Sequence, residues 1–283
     1  MRLVRFGRPD EERPGIVDSS GALRDASSVV TDWSGRQLET EKLRRLALSD
    51  LSELPEVPGS PRLACPIASP GKIVCIGLNY ADHALEAGFE LPQEPLVFFK
   101  SPTALTGPSD PIVIPKNATA VDWEVELGVV VGAVARNVRI EEAASFVAGL
   151  AVANDITERH WQFDRGGQWS KGKSADTFAP LGPWLVTLDE LPPSLDLRIW
   201  LKKNGMSRQE SRTSSLVFSV GQIIAHLSEF MTLLPGDLIL TGTPRGVAFK
   251  KPDPDHLKEG DVITCGIDGL GEQRCTVQAS GIL

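Results

Sequence analysis

Asp122-Trp-Glu-Val-Glu-Leu-Gly-Val-Val-Val-Gly132 is the stretch that decides the fold. Its β-branched run predicts a strand, in which residues i and i+2 point to the same face. Glu124 and Glu126 then project together, with Trp123, Val125 and Leu127 on the opposite face. Two adjacent carboxylates on an otherwise apolar strand repel each other and lose hydration, and a bound cation would offset both costs. An exposed edge strand with two solvated glutamates fits this segment equally well when it is taken alone.

Residues 147–156 (Val-Ala-Gly-Leu-Ala-Val-Ala-Asn-Asp-Ile) are apolar until Asn154-Asp155. An Asp at the end of a buried strand is either the N-cap of a helix, here from Thr157 onward, or a ligand, and capping is the commoner use. A third carboxylate beside Glu124 and Glu126 would give an all-oxygen site with open positions. Hard donors of this kind suit Mg²⁺, Mn²⁺ or Ca²⁺ rather than Zn²⁺.

Short apolar runs bounded by Gly, Pro and Asn mark further strands at residues 72–76 and 96–99. Residues 197–203 run into Asn204-Gly205, the strongest short-range hairpin signal. Strands are also expected at residues 237–241 and at 261–267, the latter ending in the turn Asp268-Gly269. Helical periodicity appears at residues 80–87, 141–148, 157–163 and 220–231. Strands dominate and the helices are not regularly interleaved, so the expected fold is α+β, mostly β and mostly antiparallel. Residues 1–65 form a small N-terminal α/β module, with short strands around Asp18-Ser-Ser-Gly21 and a helix near residues 41–48. Pro55, Pro58, Pro61, Pro66 and Pro70 crowd the following segment, which resists helix and sheet and serves as a linker. The main domain occupies residues 71–283.

The chain has 283 residues, enough to bury a substantial core, with a formal net charge of −8. That balance argues against nucleic acid or an anionic membrane as partner, since phosphate neutralisation needs a basic face. Cys65, Cys75, Cys265 and Cys275 form no Cys-x-x-Cys pair, so buried free thiols in a reducing compartment are expected. Met-Arg-Leu-Val-Arg-Phe-Gly lacks the apolar core of a signal peptide, and the apolar run at residues 129–134 is too short to span a bilayer. A cytoplasmic protein is the expectation.

Taken in order, Glu124-x-Glu126, Asn154-Asp155, Lys171-Gly-Lys-Ser-x-Asp-Thr177 and Leu240-Thr-Gly-Thr-Pro-x-Gly246 resemble the fumarylacetoacetate hydrolase family, over residues 71 to the C-terminus. The resemblance implies a compact β roll of stacked mixed sheets that forms a homodimer. It implies an enzyme that hydrolyses C–C bonds in acylpyruvates and related 1,3-diketo acids, decarboxylates oxaloacetate, or isomerises 2-oxo-ene acids of the 2-hydroxyhepta-2,4-diene-1,7-dioate type. The tract from Arg165 to Lys173, with Gly182-Pro-Trp-Leu-Val-Thr187, looks closest to bacterial members acting on 2,4-diketo-3-deoxy sugar acids. The partner implied is therefore a small 2-oxo acid.

Carried over residue by residue, Glu124, Glu126 and Asp155 match the family's metal carboxylates, with Mg²⁺ or Mn²⁺ as the implied ion. His83 and Glu86 match a His-x-x-Glu pair on a lid. At i and i+3 of a helix they are neighbours, so Glu86 can orient His83 as the base that activates water. Lys173 matches a lysine that stabilises oxyanionic charge. Arg159 and Gln162 match polar residues that contact substrate oxygens, and Thr243 matches a turn that holds the substrate carboxylate.

A non-catalytic, ligand-binding member of the family is the alternative from another class, and the His83–Glu86 pair argues against it. Trp161, Trp169, Trp184 and Trp200 are expected as core or wall residues, Gly166-Gly167 as a mobile loop, His226 as a core histidine and His160 as a surface one.

Overall fold

The strand Val125–Val131 lies inside a ten-stranded sheet, antiparallel to Val147–Asn154 on one side and to Leu238–Leu240 on the other. All seven of its residues are buried, which removes the exposed edge strand as an alternative. The structure is a computed structural model that describes residues 1–281. Beyond Leu238–Leu240 come Ile73–Gly77, paired in parallel, and Leu96–Lys100, paired antiparallel. On the other side Val147–Asn154 meets Leu185–Val186, which pairs with Arg2–Phe6. Arg2–Phe6 leads on to Arg13–Val17 and Leu23–Asp25, so the N-terminal strands extend the same sheet.

A second sheet of five strands runs Met206–Arg212, Arg198–Lys203, Val262–Ile267, Gly271–Ala279 and Ile112–Ile114. Its first hairpin turns at Asn204 (φ 51°) and Gly205 (φ 78°), the two positive φ values a two-residue turn requires. Val125, Leu127 and Val129 pack with Ile199, Leu201 and Ile263 in one core. Val130 faces the other way, into a second core with Ala151, Ala153, Leu240, Leu3 and Trp33. Each fully buried Val or Leu of this kind contributes about 1.5–3 kcal/mol. The strand is therefore covered on both faces, and Glu126 within it is buried. The outcome is an α+β fold dominated by strands, with mixed sheets.

Two expected helices are shorter than their periodicity. Residues 141–148 yield only the 3-10 segment Ile140–Phe146, because Val147 and the residues after it are drawn into the ladder with Val125–Val131. At residues 157–163 the helix is Arg159–Phe163, and Thr157–Glu158 instead pair with Val121–Asp122. The helices Thr40–Ala47, Ala81–Glu86 and Val220–Phe230 stand where periodicity places them. Within the proline-rich segment Leu63–Ala64 pairs with Arg5–Phe6, and Arg62 reaches Asp110 through two hydrogen bonds of 2.7 and 2.6 Å. Among the described residues no helix is long and apolar enough to cross a membrane.

Candidate active site

The strand begins at Val125, so Glu126 lies within it, and Glu124 stands just before it, in the irregular link Trp123–Glu124 after the short pair Val121–Asp122. Asn154 holds that link, its Oδ1 accepting from Glu124 N at 3.0 Å, while Asp155 N donates to Glu124 O at 2.8 Å. These contacts bring Glu124, Glu126 and Asp155 together, each buried and each offering an oxygen within 4.8 Å of the others. Asp155 does not cap the following helix. Glu158 does so, by accepting from Trp161 N, and Asp155 accepts from Lys100 Nζ on Oδ1 at 2.5 Å and from Lys173 Nζ on Oδ2 at 2.6 Å.

Lys173 also donates to Glu124 Oε2 at 2.5 Å, and Arg159 approaches Glu124 Oε1 at 2.6 Å. Arg159 is fixed in turn by Asp122 (2.9 Å) and by Gln162 Oε1 (3.1 Å). Burial works against ionisation of Glu124, but Lys173 and Arg159 outweigh it and hold the carboxyl well below its usual range. Glu126 has the opposite balance. Burial and the charges of Asp155 and Glu124 push it well above the usual range, against Lys173 and the Gly242 N–H. Burial lowers the proton affinity of Lys173, yet Asp155 and Glu124 raise it further, so the ammonium stays charged.

The donor chemistry fits a divalent cation. Asp122, Glu124, Glu126 and Asp155 set four buried carboxylates against the three buried cations Lys100, Arg159 and Lys173. With all four ionised one negative charge would be uncompensated, and the upward shift of Glu126 marks it as the place of that surplus. Each carboxylate has about four lone-pair sites, so the hydrogen bonds described leave room for a ligand bond. A buried acidic cluster of this composition can hold a metal ion, and a dication would turn the surplus positive, which suits an anionic substrate.

His83 comes to the same cavity from the helix Ala81–Glu86. The approach to that helix is fixed by Leu78, at φ 55°, and by Asn79, which bonds Phe218 and Thr241. His83 is buried, and its Nδ1 has no hydrogen-bond partner. Glu86 Oε2 stands 3.9 Å away, outside hydrogen-bond distance, and accepts from Gly246 N at 2.7 Å. Burial pushes Glu86 up, but His83 and the Gly246 N–H outweigh it and hold the group ionised. Glu86 therefore ties the helix to the 241–246 turn and sets a negative charge beside His83.

Thr243 lines the cavity, and its hydroxyl is engaged with the scaffold. It donates to Val125 O at 2.9 Å and accepts from Gln209 Nε2 at 2.8 Å. His83, Glu124, Glu126, Arg159, Gln162 and Lys173 line the same space. Asp155 lies beneath them under its two lysines, and Glu86 stands behind His83.

Four supporting residues received no role from sequence reasoning. Lys100 ends an apolar strand, and a lone lysine there was the available signal. Asp122 heads the opening stretch and accepts from the N–H groups of Trp123, Ala248 and Phe249 as well as from Arg159. Asn154 holds Glu124, and Gln209 joins Val125 to Thr243 and Pro244. His160 is exposed and His226 half-buried, both away from this cluster. Trp169 lines the cavity.

Known proteins resemble this chain over nearly its whole length. The profile of the fumarylacetoacetate (FAA) hydrolase C-terminal family matches residues 72–278. A Burkholderia cenocepacia protein carrying the provisional name of hydrolase is 51% identical over 274 residues, covering 96% of this chain and 97% of its own. The crystal structure of maleylpyruvate hydrolase from a Sphingobium species superposes with a TM-score of 0.81 at 32% identity, over 99% of this chain and 100% of that one. That of 2-hydroxyhepta-2,4-diene-1,7-dioate isomerase from Mycobacterium marinum gives 0.78 at 34% identity, over 100% of both chains. With the match covering residues 72–278 and the fold shared end to end, this chain belongs to the fumarylacetoacetate hydrolase family.

Proposed function

We propose that this protein is a divalent-metal-dependent hydrolase that cleaves a C–C bond in a small 2-oxo acid of acylpyruvate type, releasing pyruvate or a related 2-oxo acid. The observation that carries the reading is His83, buried with an unpartnered Nδ1, lining one cavity with the carboxylate cluster and with Glu86 at its back. Decarboxylation needs only a site that stabilises an enolate, whereas hydrolysis also needs a base for water and double-bond isomerisation a base for a carbon-bound proton. A buried base backed by a carboxylate is the additional part that hydrolysis requires.

Glu124, Glu126 and Asp155 would hold Mg²⁺ or Mn²⁺, which when bound supplies Lewis-acid polarisation of the 2-oxo group. Arg159 and Gln162 present donors at the cavity wall to the substrate's carboxylate and oxo oxygens. His83 takes a proton from water as the water oxygen adds to the distal carbonyl carbon. The C–C bond between that carbon and the methylene then breaks, and its electron pair passes to the 2-oxo fragment as an enolate. Lys173 places a fixed ammonium against the developing charge. Protonation of the enolate carbon gives pyruvate, and the other fragment leaves as a carboxylic acid. The same reading takes the enzyme as a cytoplasmic homodimer, for which light scattering on the eluting peak is the check.

The test is acetylpyruvate in ¹⁸O-water with Mg²⁺ or Mn²⁺. The proposal expects equal amounts of pyruvate and acetate, with the label in the acetate carboxyl. Turnover of oxaloacetate alone, or conversion of a 2-oxo-ene acid without water incorporation, would assign the site to a lyase or an isomerase.

A further inference from the structure

The cavity that holds the carboxylate cluster has two kinds of lining. Beyond the charged floor its wall is built from five aromatic rings that touch in series. Phe163 stacks on Phe249 with centroids 4.7 Å apart and lies 6.2 Å from Phe89. Its edge meets Trp169 at 5.7 Å, and Trp169 meets Phe98 at 5.4 Å. All five line the cavity. Gly77 makes room for the indole: a Cβ there would stand 2.7 Å from a Trp169 ring carbon. Two of the three buried cations sit against rings of this wall, Arg159 5.1 Å from the Phe249 ring and Lys173 5.0 Å from the Phe98 ring.

We propose that the acyl group of the substrate is uncharged, apolar and flat, so that aroylpyruvates are preferred over acylpyruvates that end in a second carboxylate. This deepens the acylpyruvate reading and rests on it. Of the cations that line the cavity, Lys173 is held by the floor carboxylates, and Arg159 is shared between them and the substrate's own 2-oxo carboxylate, which leaves neither to receive a distal carboxylate. A carboxylate pressed against the rings would lose its hydration without a partner, whereas an aryl group would stack on them. Lys250 is the cation nearest the wall, 4.7 Å from the Phe89 ring. Its ammonium donates to Ala87 O, its side chain is exposed, and it does not line the cavity. The preference sets this chain apart from relatives whose names specify a dioate.

Two measurements separate this inference from the reaction it rests on. The first is kcat/KM with Mn²⁺ for benzoylpyruvate and for fumarylpyruvate, a dicarboxylate. The second is calorimetric affinity for two acids that cannot be cleaved, 4-phenyl-2-oxobutanoate and 2-oxoadipate. The phenyl compound should bind at least tenfold more tightly than the dicarboxylate, and benzoylpyruvate should be cleaved at least tenfold more efficiently. Phe163→Ala and Phe89→Ala, the second lying off the helix that carries Arg159, should each reduce both ratios several-fold. Tight binding of the phenyl compound with no cleavage of either substrate upholds the apolar wall and overturns the hydrolase. Cleavage with the dicarboxylate equal or preferred upholds the hydrolase and overturns the wall. A dicarboxylate preference lost in Lys250→Gln would assign the distal group to that ammonium instead.

Discussion

Lys100 Nζ lies 2.5 Å from Asp155 Oδ1 with neither side chain exposed to solvent. Lys173 takes the other oxygen, so two lysines clamp one carboxylate in the orientation the cluster needs. Removing one member of a buried pair leaves a desolvated charge and costs about 3–5 kcal/mol. Lys100→Met should lower the unfolding free energy of metal-free protein by that amount in urea titration. The double variant Lys100→Met/Asp155→Asn should recover part of the loss. A single variant as stable as wild type would mean that the clamp holds nothing.

A divalent cation held by the buried carboxylates would make the stability of the fold depend on that ion. A ligand that binds only the native state stabilises it by about 2.7 kcal/mol at one hundred times its dissociation constant. Mn²⁺ or Mg²⁺ should therefore raise the melting temperature of chelator-treated protein, and chelator should reverse the rise. In Glu126→Gln the surplus charge is gone and the shift should shrink to a small remainder. Melting curves identical with and without cation would remove the metal from the account.

Much of this was legible from local patterns, and the remainder depended on pairing across the chain. Alternation with period two is a property of one segment, so the common face of Glu124 and Glu126 and the opposite face of Trp123, Val125 and Leu127 could be read directly. Asn204-Gly205 announced its hairpin for the same reason. The fate of Asp155 could not be settled locally, because an N-cap and a ligand look alike in sequence. Its lysine partner stands fifty-five residues away. Asp122 was hidden similarly, since its work is done on Arg159, Ala248 and Phe249 after the chain has folded back. The helix expected from residue 157 lost its first turn to a strand pairing that periodicity does not encode.

Gly172 carries Lys173 past a tight neighbour. A Cβ at this position would stand 2.4 Å from Glu158 O and 2.8 Å from Gln162 N. Both contacts are backbone, so Gly172→Ala must shift the short helix Ser170–Lys173. Overpacking of this kind costs about 1–3 kcal/mol. A displacement near 1 Å at a catalytic group can lower turnover roughly a hundredfold. Steady-state kinetics and a melting curve on this variant should show both effects, turnover suffering far more than stability. Wild-type turnover would show that Lys173 tolerates the shift.

The Arg62–Asp110 pair fastens the proline-rich segment to the main sheets and gives stability a pH dependence. Burial raises the Asp110 carboxyl, but Arg62 and the Gly107 N–H outweigh it and hold it below its ordinary value of 3.8. A carboxyl depressed in the folded state contributes stability above its unfolded value and loses it as pH falls through the folded one. Arg62→Leu should cost about 1.5–3 kcal/mol at neutral pH, the range for hydrogen bonds to charged groups. The difference from wild type should close as pH falls below about 3.8. A difference that stays constant down to acid pH would assign the loss to packing of the arginine stem.

The central claim is that His83 activates water above the carboxylate cluster. The most direct measurement is pyruvate release from acetylpyruvate, and separately from oxaloacetate, by wild type and His83→Ala with saturating Mn²⁺. Loss of a general base lowers the rate by roughly 10²–10⁴-fold. The account predicts a fall of that size for acetylpyruvate, with Mn²⁺ binding retained and any oxaloacetate turnover much less affected. Acetylpyruvate cleavage at near wild-type rate in His83→Ala, or turnover confined to oxaloacetate in both proteins, would contradict it.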